Sequence, residues 1–107
     1  MSWKVIFLPE ARAEINKLDG SPKDAVYKAI KKVQQNPLPR NEGGYGFPLG
    51  NKFGMNLVNC FKIKLRGSGI RVVYKLIRTE TEMLIIVVGA REDNEVYEIA
   101  EKRIKNL

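Results

Sequence analysis

The chain has 107 residues, of which 44% are hydrophobic and 29% charged, and its formal net charge at pH 7 is +7. This length and balance fit one globular domain over residues 1–107, and no apolar run is long enough to span a membrane. The sequence contains no histidine and one cysteine, Cys60, which excludes histidine-based catalysis, histidine metal sites and an internal disulfide. Because the first residues lack the features of a signal peptide, we expect a cytoplasmic protein.

The first predicted elements are a strand and two helices. Residues 3–8 are rich in β-forming side chains and predict a strand. Pro9 suits the first turn of a helix that reaches residue 18, and Pro22 suits the first turn of a second helix that ends before Pro37. We expect these two helices to form a hairpin that packs against a sheet.

A long loop is predicted for residues 37–58, which hold five of the nine glycines and three of the five prolines. A connection of this length is uncommon in a small domain and is often functional, although a mobile surface excursion is equally compatible with it. Tyr45, Phe47 and Phe53 within the segment indicate either packing or contact with nucleic-acid bases.

Three strands and a helix are predicted after this loop. Residues 59–66 and 70–77 alternate between apolar and polar side chains around a glycine turn, whereas residues 83–88 are apolar throughout and should be covered on both faces. A last helix is expected to be capped by Asp93 or Asn94. The predicted class is α+β with the order β-α-α-β-β-β-α: a small, mainly antiparallel sheet of about four strands, packed by an N-terminal helical hairpin and a C-terminal helix.

The positive charge is concentrated in the middle of the chain. Residues 43–79 include seven lysines or arginines and no aspartate or glutamate. A block of one sign favours a polyanionic partner, and nucleic acid is the first candidate. The alternative is a basic surface that only keeps the protein soluble. No carboxylate cluster has the spacing of metal ligands, so we expect neither a metal ion nor another cofactor.

Four cations form the strongest candidate site. Lys62 and Lys64 lie two residues apart on a predicted strand and therefore share a face, and the hairpin returns Arg71 beside them. Arg91 follows the next strand. Such a patch would bind a phosphodiester and stabilise a pentavalent transition state more strongly. The alternative is the solvent side of a half-covered strand. Tyr97 is either a core aromatic or a ring that stacks on a base.

Several segments resemble the RelE family of toxins. Residues 60–74, Cys-Phe-Lys-Ile-Lys-Leu-Arg-Gly-Ser-Gly-Ile-Arg-Val-Val-Tyr, closely resemble the central hairpin of RelE toxins. Val-Gly-Ala-Arg-Glu at 88–92, followed by Asn-Glu-Val-Tyr at 94–97, resembles the second signature of the family, and Arg103-Ile104 also fits. The chain is thus similar, over essentially its whole length, to RelE-type toxins of type II toxin–antitoxin systems in the RelE/ParE superfamily.

The resemblance implies a function and its partners. RelE toxins are ribosome-dependent endoribonucleases, called mRNA interferases, which cleave mRNA in the ribosomal A site and so inhibit translation. The implied reaction is attack of a ribose 2′-hydroxyl on the adjacent phosphate, which leaves a cyclic phosphate and a free 5′-hydroxyl without a metal ion or other cofactor. The implied partners are mRNA on the ribosome, 16S ribosomal RNA and a cognate antitoxin protein that neutralises the toxin.

The resemblance also implies roles for individual residues. Lys62 and Lys64 would orient the RNA and assist proton abstraction, and Arg71 would contact the scissile phosphate. Arg91 would stabilise the transition state, which we expect to outweigh its proposed role as an acid because arginine scarcely deprotonates. Tyr97 would stack on a base and help to position the nucleophile. The further RNA-binding residues expected in the basic block are Lys52, Arg66 and Lys75.

The chain also departs from its relatives, and two other functions stay open. Some relatives carry a lysine at the position of Ala90 and an arginine before the glycine at Gly54, and the segment 37–58 is longer here than in the best-known member. A ParE-like toxin of the same fold would poison DNA gyrase and would not need the lysine pair, both arginines and the tyrosine together. A non-catalytic RNA-binding module would bind RNA with the usual salt dependence and leave it intact.

Overall fold

The computed structural model describes residues 3–107, with the side chain of Lys52 excepted. The helices and strands in chain order are β1 (Lys4–Phe7), α1 (Pro9–Asn16), α2 (Gly20–Gln34), β2 (Phe47–Gly50), β3 (Leu57–Lys64), β4 (Arg71–Ile77), β5 (Glu82–Gly89) and α3 (Asp93–Lys105). Short 3-10 turns occupy Arg40–Glu42, Lys52–Gly54 and Arg78–Glu80. Among the described residues, we find no helix with both the length and the apolar composition needed to cross a membrane.

The five strands form one sheet in the order β1-β5-β4-β3-β2. All neighbouring strands are antiparallel except β1 and β5, which pair in parallel. The predicted α+β class is confirmed, but the sheet has one strand more than expected. The additional strand is β2, which forms inside the predicted loop 37–58. Pro48 and Gly50 are unfavourable in strands, so the sequence did not predict β2. Pro48 is tolerated because β2 lies at the edge of the sheet.

The helical hairpin α1–α2 covers one face of the sheet, as predicted. Ile15 of α1 and Val26 of α2 belong to one buried cluster with Val72 and Tyr74 of β4. The Tyr74 hydroxyl donates a hydrogen bond to the carbonyl of Pro37 at 2.8 Å. This bond satisfies a buried polar group and fastens the start of the segment between α2 and β2 to the core.

Helix α3 covers the opposite face. Val96 and Tyr97 of α3 lie in a second buried cluster with Val73 of β4 and Ile86 of β5. Strand β5 contributes Met83, Ile85 and Val88 to the first cluster and Leu84, Ile86 and Val87 to the second, which confirms the prediction that it is covered on both faces. The face under α3 is the one that carries the lysines of β3.

Candidate functional site

The ladder between β3 and β4 places the predicted cations together. Lys64 lies directly opposite Arg71, and Lys62 shares the same face of β3. Arg71 in turn pairs with Gly89 at the end of β5, so the chain that follows β5 brings Arg91 to the same place. We call these four residues, Lys62, Lys64, Arg71 and Arg91, the cationic corner.

Arg71 is the most constrained member of the cationic corner. Its Nη1 donates to the carbonyl of Gly69 at 3.0 Å and to the carbonyl of Arg91, and its Nε donates to the carboxylate of Asp93. The side chain is 14% exposed. The guanidinium is therefore oriented by the protein before any ligand binds.

A carboxylate, Asp93, lies among these cations. It forms ion pairs with Arg71 and, at 3.8 Å, with Lys62 Nζ. Burial alone would raise the pKa of Asp93. The hydrogen bond from Arg71 and the charges of Lys62, Arg71 and Lys64 have a larger effect in the opposite direction, so the pKa lies below the ordinary 3.8. Asp93 is thus ionised at neutral pH and partly neutralises the corner.

The predicted capping of the last helix is wrong. Helix α3 begins at Asp93, Glu92 occupies the N-cap position, and no side-chain capping hydrogen bond forms there. The physical reason is competition, because Arg71 and Lys62 offer the Asp93 carboxylate stronger, charged partners than the amides of the first turn. Asp93 still lies in the first turn, where its charge favours the positive end of the helix dipole.

Lys62 does not resemble a lysine that only faces solvent. Its side chain is 17% exposed, and its Nζ lies 4.8 Å from the centre of the Phe47 ring on β2. Lys64, in contrast, is exposed. The corner therefore combines one enclosed lysine with one that projects into water.

Arg91 and Tyr97 differ sharply in exposure. The Arg91 side chain is exposed, although its backbone carbonyl is bound by Arg71. Tyr97 is 1% exposed, with its ring centre 5.9 Å from that of Phe53. Burial raises the pKa of Tyr97 to about 12, with Asp93 adding to the shift and Arg71 opposing it. Stacking of a base on Tyr97 requires the covering groups, including Phe53, to move.

The Tyr97 hydroxyl is also unusual. It is buried and has no hydrogen-bond partner in the part of the chain that the structure describes. Such a buried hydroxyl can donate to or accept from a polar group that reaches it.

The structure describes the side chains of two of the three further RNA-binding residues predicted, and one of them, Lys75, lies four residues beyond Arg71 on β4. Arg66 is exposed beside the β3–β4 turn, and Lys75 is half-buried opposite Cys60. Burial raises the pKa of the Cys60 thiol to about 11, with Lys75 opposing the shift, so the buried thiol is not an activated nucleophile. The side chain of Lys52 lies outside the described part of the structure.

A cleft of about 490 Å³, which was not predicted from the sequence, adjoins the corner. Its polar and aromatic lining consists of Arg40, Tyr45, Phe47, Lys62, Lys64 and Arg66. The Arg40 guanidinium lies 5.3 Å from the centre of the Phe47 ring, so this ring is in contact with both Arg40 and Lys62. The sequence feature that could have indicated this cleft is the pair of aromatic residues, Tyr45 and Phe47, close to Arg40.

The arrangement can bind a phosphodiester and stabilise additional negative charge on it. Three cations share one rigid sheet face, and the backbone of the exposed Arg91 is bound to one of them, Arg71. Within residues 3–107, no cluster of three or more cysteine, aspartate or glutamate side chains is placed to hold a metal ion.

Known proteins match this chain along nearly its whole length. No protein-family model matches it. The mRNA interferase toxin RelE of Escherichia coli K12 is 34% identical over 104 residues, which are 97% of this chain and 99% of that protein. The free E. coli toxin RelE, solved as a double arginine-to-alanine mutant, matches with a TM-score of 0.74 and 33% identity over 97% of this chain and 99% of that one. A chain of the intact E. coli RelBE toxin–antitoxin complex matches with a TM-score of 0.65 and 28% identity over 85% of this chain and 99% of that one.

Proposed function

This chain belongs to the RelE family of toxins, and on that basis we propose that its cationic corner is the active site of a ribosome-dependent mRNA interferase. The protein cleaves mRNA in the ribosomal A site, inhibits translation and is neutralised by a cognate antitoxin. It acts in the cytoplasm, where its ribosomal target is found. The observation that carries the proposal is the shared sheet face of Lys62, Lys64 and Arg71, with the backbone of Arg91 bound to Arg71.

The proposed reaction is an internal transesterification of the RNA. The ribose 2′-oxygen forms a bond to the adjacent phosphorus, and the bond from phosphorus to the 5′-oxygen breaks. The 2′-hydroxyl loses its proton with the assistance of Lys62 and Lys64, and the leaving 5′-oxygen takes up a proton. The products are a 2′,3′-cyclic phosphate and a free 5′-hydroxyl.

The cations contribute mainly through charge. Arg71, fixed by Asp93 and two carbonyls, contacts the scissile phosphate with little reorganisation. Arg91 extends from a fixed backbone into solvent and neutralises the charge that grows in the transition state. Because this charge is larger in the transition state than in the substrate, Arg91 accelerates the chemical step more than it improves binding.

Tyr97 joins the site only when RNA is bound. Its hydroxyl lacks a partner in the described structure, and its ring lies beside Phe53. Displacement of Phe53 would expose the ring to a base and give the hydroxyl a polar partner on the RNA. Catalytic contacts often form fully only in the complex with substrate.

Two alternatives have less support. The relatives that match this chain are named as mRNA interferases or RelE-like toxins, which favours RNA cleavage over poisoning of DNA gyrase. A non-catalytic RNA-binding module would not need a fixed arginine and a free arginine at the same phosphate.

The test is to incubate translating ribosomes with the protein and map the ends of the mRNA. We expect new ends confined to the A site, and we expect Arg91→Ala to lower the cleavage rate by about 100-fold or more while the protein remains folded. The matched control is Arg12→Ala, which removes an exposed arginine of α1 that lies 4.5 Å from the centre of the Phe7 ring.

Three results would contradict the proposal. Inhibition of DNA supercoiling with intact mRNA would support gyrase poisoning. RNA binding without cleavage would support the binding module. Equal cleavage by wild type and Arg91→Ala would remove Arg91 from the site.

A further inference from the structure

The cleft beside the cationic corner is presented by an unusually well-fixed loop. Tyr45 N donates to the carbonyl of Asn36 at 2.9 Å, and Gly46 N donates to the carbonyl of Leu38 at 2.9 Å. A Cβ on Gly44 would lie 2.0 Å from the Leu38 oxygen, so only glycine permits this close approach. The backbone on both sides of Tyr45 is therefore held in one conformation.

The Tyr45 side chain, in contrast, is not packed into the core. It is 49% exposed, and Lys32 Nζ lies 5.8 Å from the centre of its ring. A large aromatic side chain on a fixed backbone loses little entropy when it binds a flat ligand. Exposed aromatic rings next to cations are the usual platform for bases of single-stranded nucleic acid.

The cleft is continuous with the cationic corner. Lys62 and Lys64 line both, and Arg40 and Arg66 add two further cations to the lining of the cleft. Strand β2 starts at Phe47, opposite Lys62, so the β2–β3 ladder stops before it reaches Lys64. An RNA strand gripped at the corner can therefore continue along the open edge of β3 into the cleft.

We propose that this cleft is a nucleotide subsite for the mRNA, in which Tyr45 stacks on a base next to the scissile phosphate and Arg40 and Arg66 bind the adjoining phosphodiester. The inference rests on the proposed function, since it takes the corner as the place of the scissile phosphate. It adds a contact to the flanking nucleotide and makes the segment between α2 and β2 part of the RNA interface. The mRNA is favoured as the source of the base because the cleft shares two lysines with the corner.

The first test measures binding without cleavage. In an Arg91→Ala background, the affinity for a short fluorescein-labelled single-stranded RNA is followed by fluorescence anisotropy. We expect Tyr45→Ala to weaken binding by about tenfold and Tyr45→Phe to change it little, since stacking requires the ring and not the hydroxyl. The control is Tyr27→Ala, which removes a 37% exposed tyrosine on α2 whose ring packs edge-on against Phe7. Unchanged affinity in Tyr45→Ala would overturn the proposal.

The second test identifies the source of the base. Translating ribosomes carry mRNA with an abasic nucleotide on one or the other side of the cleaved bond, and cleavage rates are compared for wild type and Tyr45→Ala. We expect an abasic nucleotide at one of the two positions to lower the cleavage rate of wild type by about tenfold. The same abasic nucleotide should not lower the already reduced rate of Tyr45→Ala further, because the base and the ring are the two partners of one contact. If Tyr45→Ala is slower than wild type by the same factor on intact mRNA and on abasic mRNA, the base that Tyr45 contacts belongs to ribosomal RNA. That result would overturn the mRNA subsite.

The two tests separate this inference from the proposed function. If wild type cleaves no ribosome-bound mRNA while Tyr45→Ala still weakens RNA binding, the nuclease assignment fails and the base platform stands. If wild type cleaves in the A site and Tyr45→Ala matches it in both rate and affinity, the nuclease assignment stands and the subsite fails.

Discussion

Among single residues, Asp93 links the stability of the protein to its candidate active site. It is the partner of both Arg71 and Lys62, and it restrains two cations that would otherwise repel each other. The same charge opposes the phosphate that the corner is proposed to bind. The free protein is thus organised around an internal carboxylate, and bound RNA brings in a second anion.

The pKa of Asp93 makes a prediction about pH. The pKa of Asp93 is lower in the folded state than in the unfolded state, so its ion pairs stabilise the protein at pH values above the ordinary pKa of 3.8. This contribution is lost as the pH falls through the lower pKa of the folded state. We expect Asp93→Asn to reduce the free energy of unfolding by about 1 kcal/mol at neutral pH. The difference from wild type should shrink towards zero well below pH 3.8, as measured by urea denaturation.

The control for this prediction is Asp24→Asn, an exposed aspartate on α2. Its difference from wild type should stay near zero at every pH. A difference between Asp93→Asn and wild type that does not change with pH would show that the carboxylate charge is not what stabilises the fold.

Some roles of single residues could be predicted and others could not. Alternation along β3 and the short hairpin were enough to place Lys62, Lys64 and Arg71 on one face, because both depend on local geometry. The partnership of Asp93 with Arg71 was invisible, since it joins residues that are distant in sequence and depends on where α3 meets the sheet. The sequence left undecided whether Tyr97 is buried, because this also depends on where α3 meets the sheet.

At the scale of elements, the segment between α2 and β2 is a structured part of the fold. Gly44 allows its backbone to lie against Leu38, and a Cβ there would meet backbone atoms that cannot rotate away. We expect Gly44→Ala to lower the free energy of unfolding by about 2 kcal/mol or more, measured by urea denaturation. Gly20→Ala is the matched control, because a Cβ at this first residue of α2 meets nothing within 4 Å and should stabilise the helix by about 0.5 kcal/mol.

A loss of similar size in both glycine variants would contradict the close contact at Leu38. In that case the variants would report only the general effect of adding a side chain. A normal stability in Gly44→Ala would likewise indicate that the loop can relax.

A second link joins α1, β5 and α3 at an irregularity of the sheet. Strand β5 carries a bulge at Ile86. Val87 pairs with Val73 of β4, and Ile85 pairs with the next residue, Tyr74, so Ile86 has no partner on β4. Arg103 donates to the carbonyl of Ile86 at 2.8 Å and also to Glu14. The side chains of two helices thus complete the hydrogen bonding of the bulged strand.

This link makes Glu14 important for stability. Its carboxylate accepts hydrogen bonds from Val88 N at 3.1 Å and from Arg103 at 2.8 Å. We expect Glu14→Ala to lower the free energy of unfolding by about 1–3 kcal/mol, because the partly buried Arg103 loses its carboxylate partner and the Val88 amide loses its acceptor. Glu10→Ala, on the exposed side of the same helix, should cost less than about 0.5 kcal/mol. Equal effects in thermal or urea unfolding would contradict the link.

The elements themselves were largely predictable, and the exceptions share a cause. The helices and the strands β3 to β5 follow from hydrophobic period and from their flanking turns. Strand β2 was missed because Pro48 and Gly50 are turn-forming residues, and only an edge position makes the strand possible. The bulge at Ile86 was missed because an uninterrupted apolar run carries no period from which a register could be read.

For the whole molecule, charge is the property that the sequence specified best. The net charge of +7 and its concentration around the corner predict that RNA binding weakens steeply as salt increases. We expect Lys64→Gln to weaken binding to all RNA sequences alike and to reduce the slope of log affinity against log salt by about one. Lys28→Gln, an exposed lysine of α2, should leave the slope unchanged. Identical slopes for all three proteins would show that Lys64 makes no phosphate contact.

The parallel pairing of β1 with β5 has a consequence for how the toxin comes into being. Residues 4–7 lie beside residues 82–85, so β1, the first strand of the sheet, cannot pair until β5, the last strand, has been synthesised. Closing so large a loop is entropically costly and slows folding. A nascent chain therefore holds an incomplete sheet until β5 has emerged from the ribosome, and no active enzyme exists before that point.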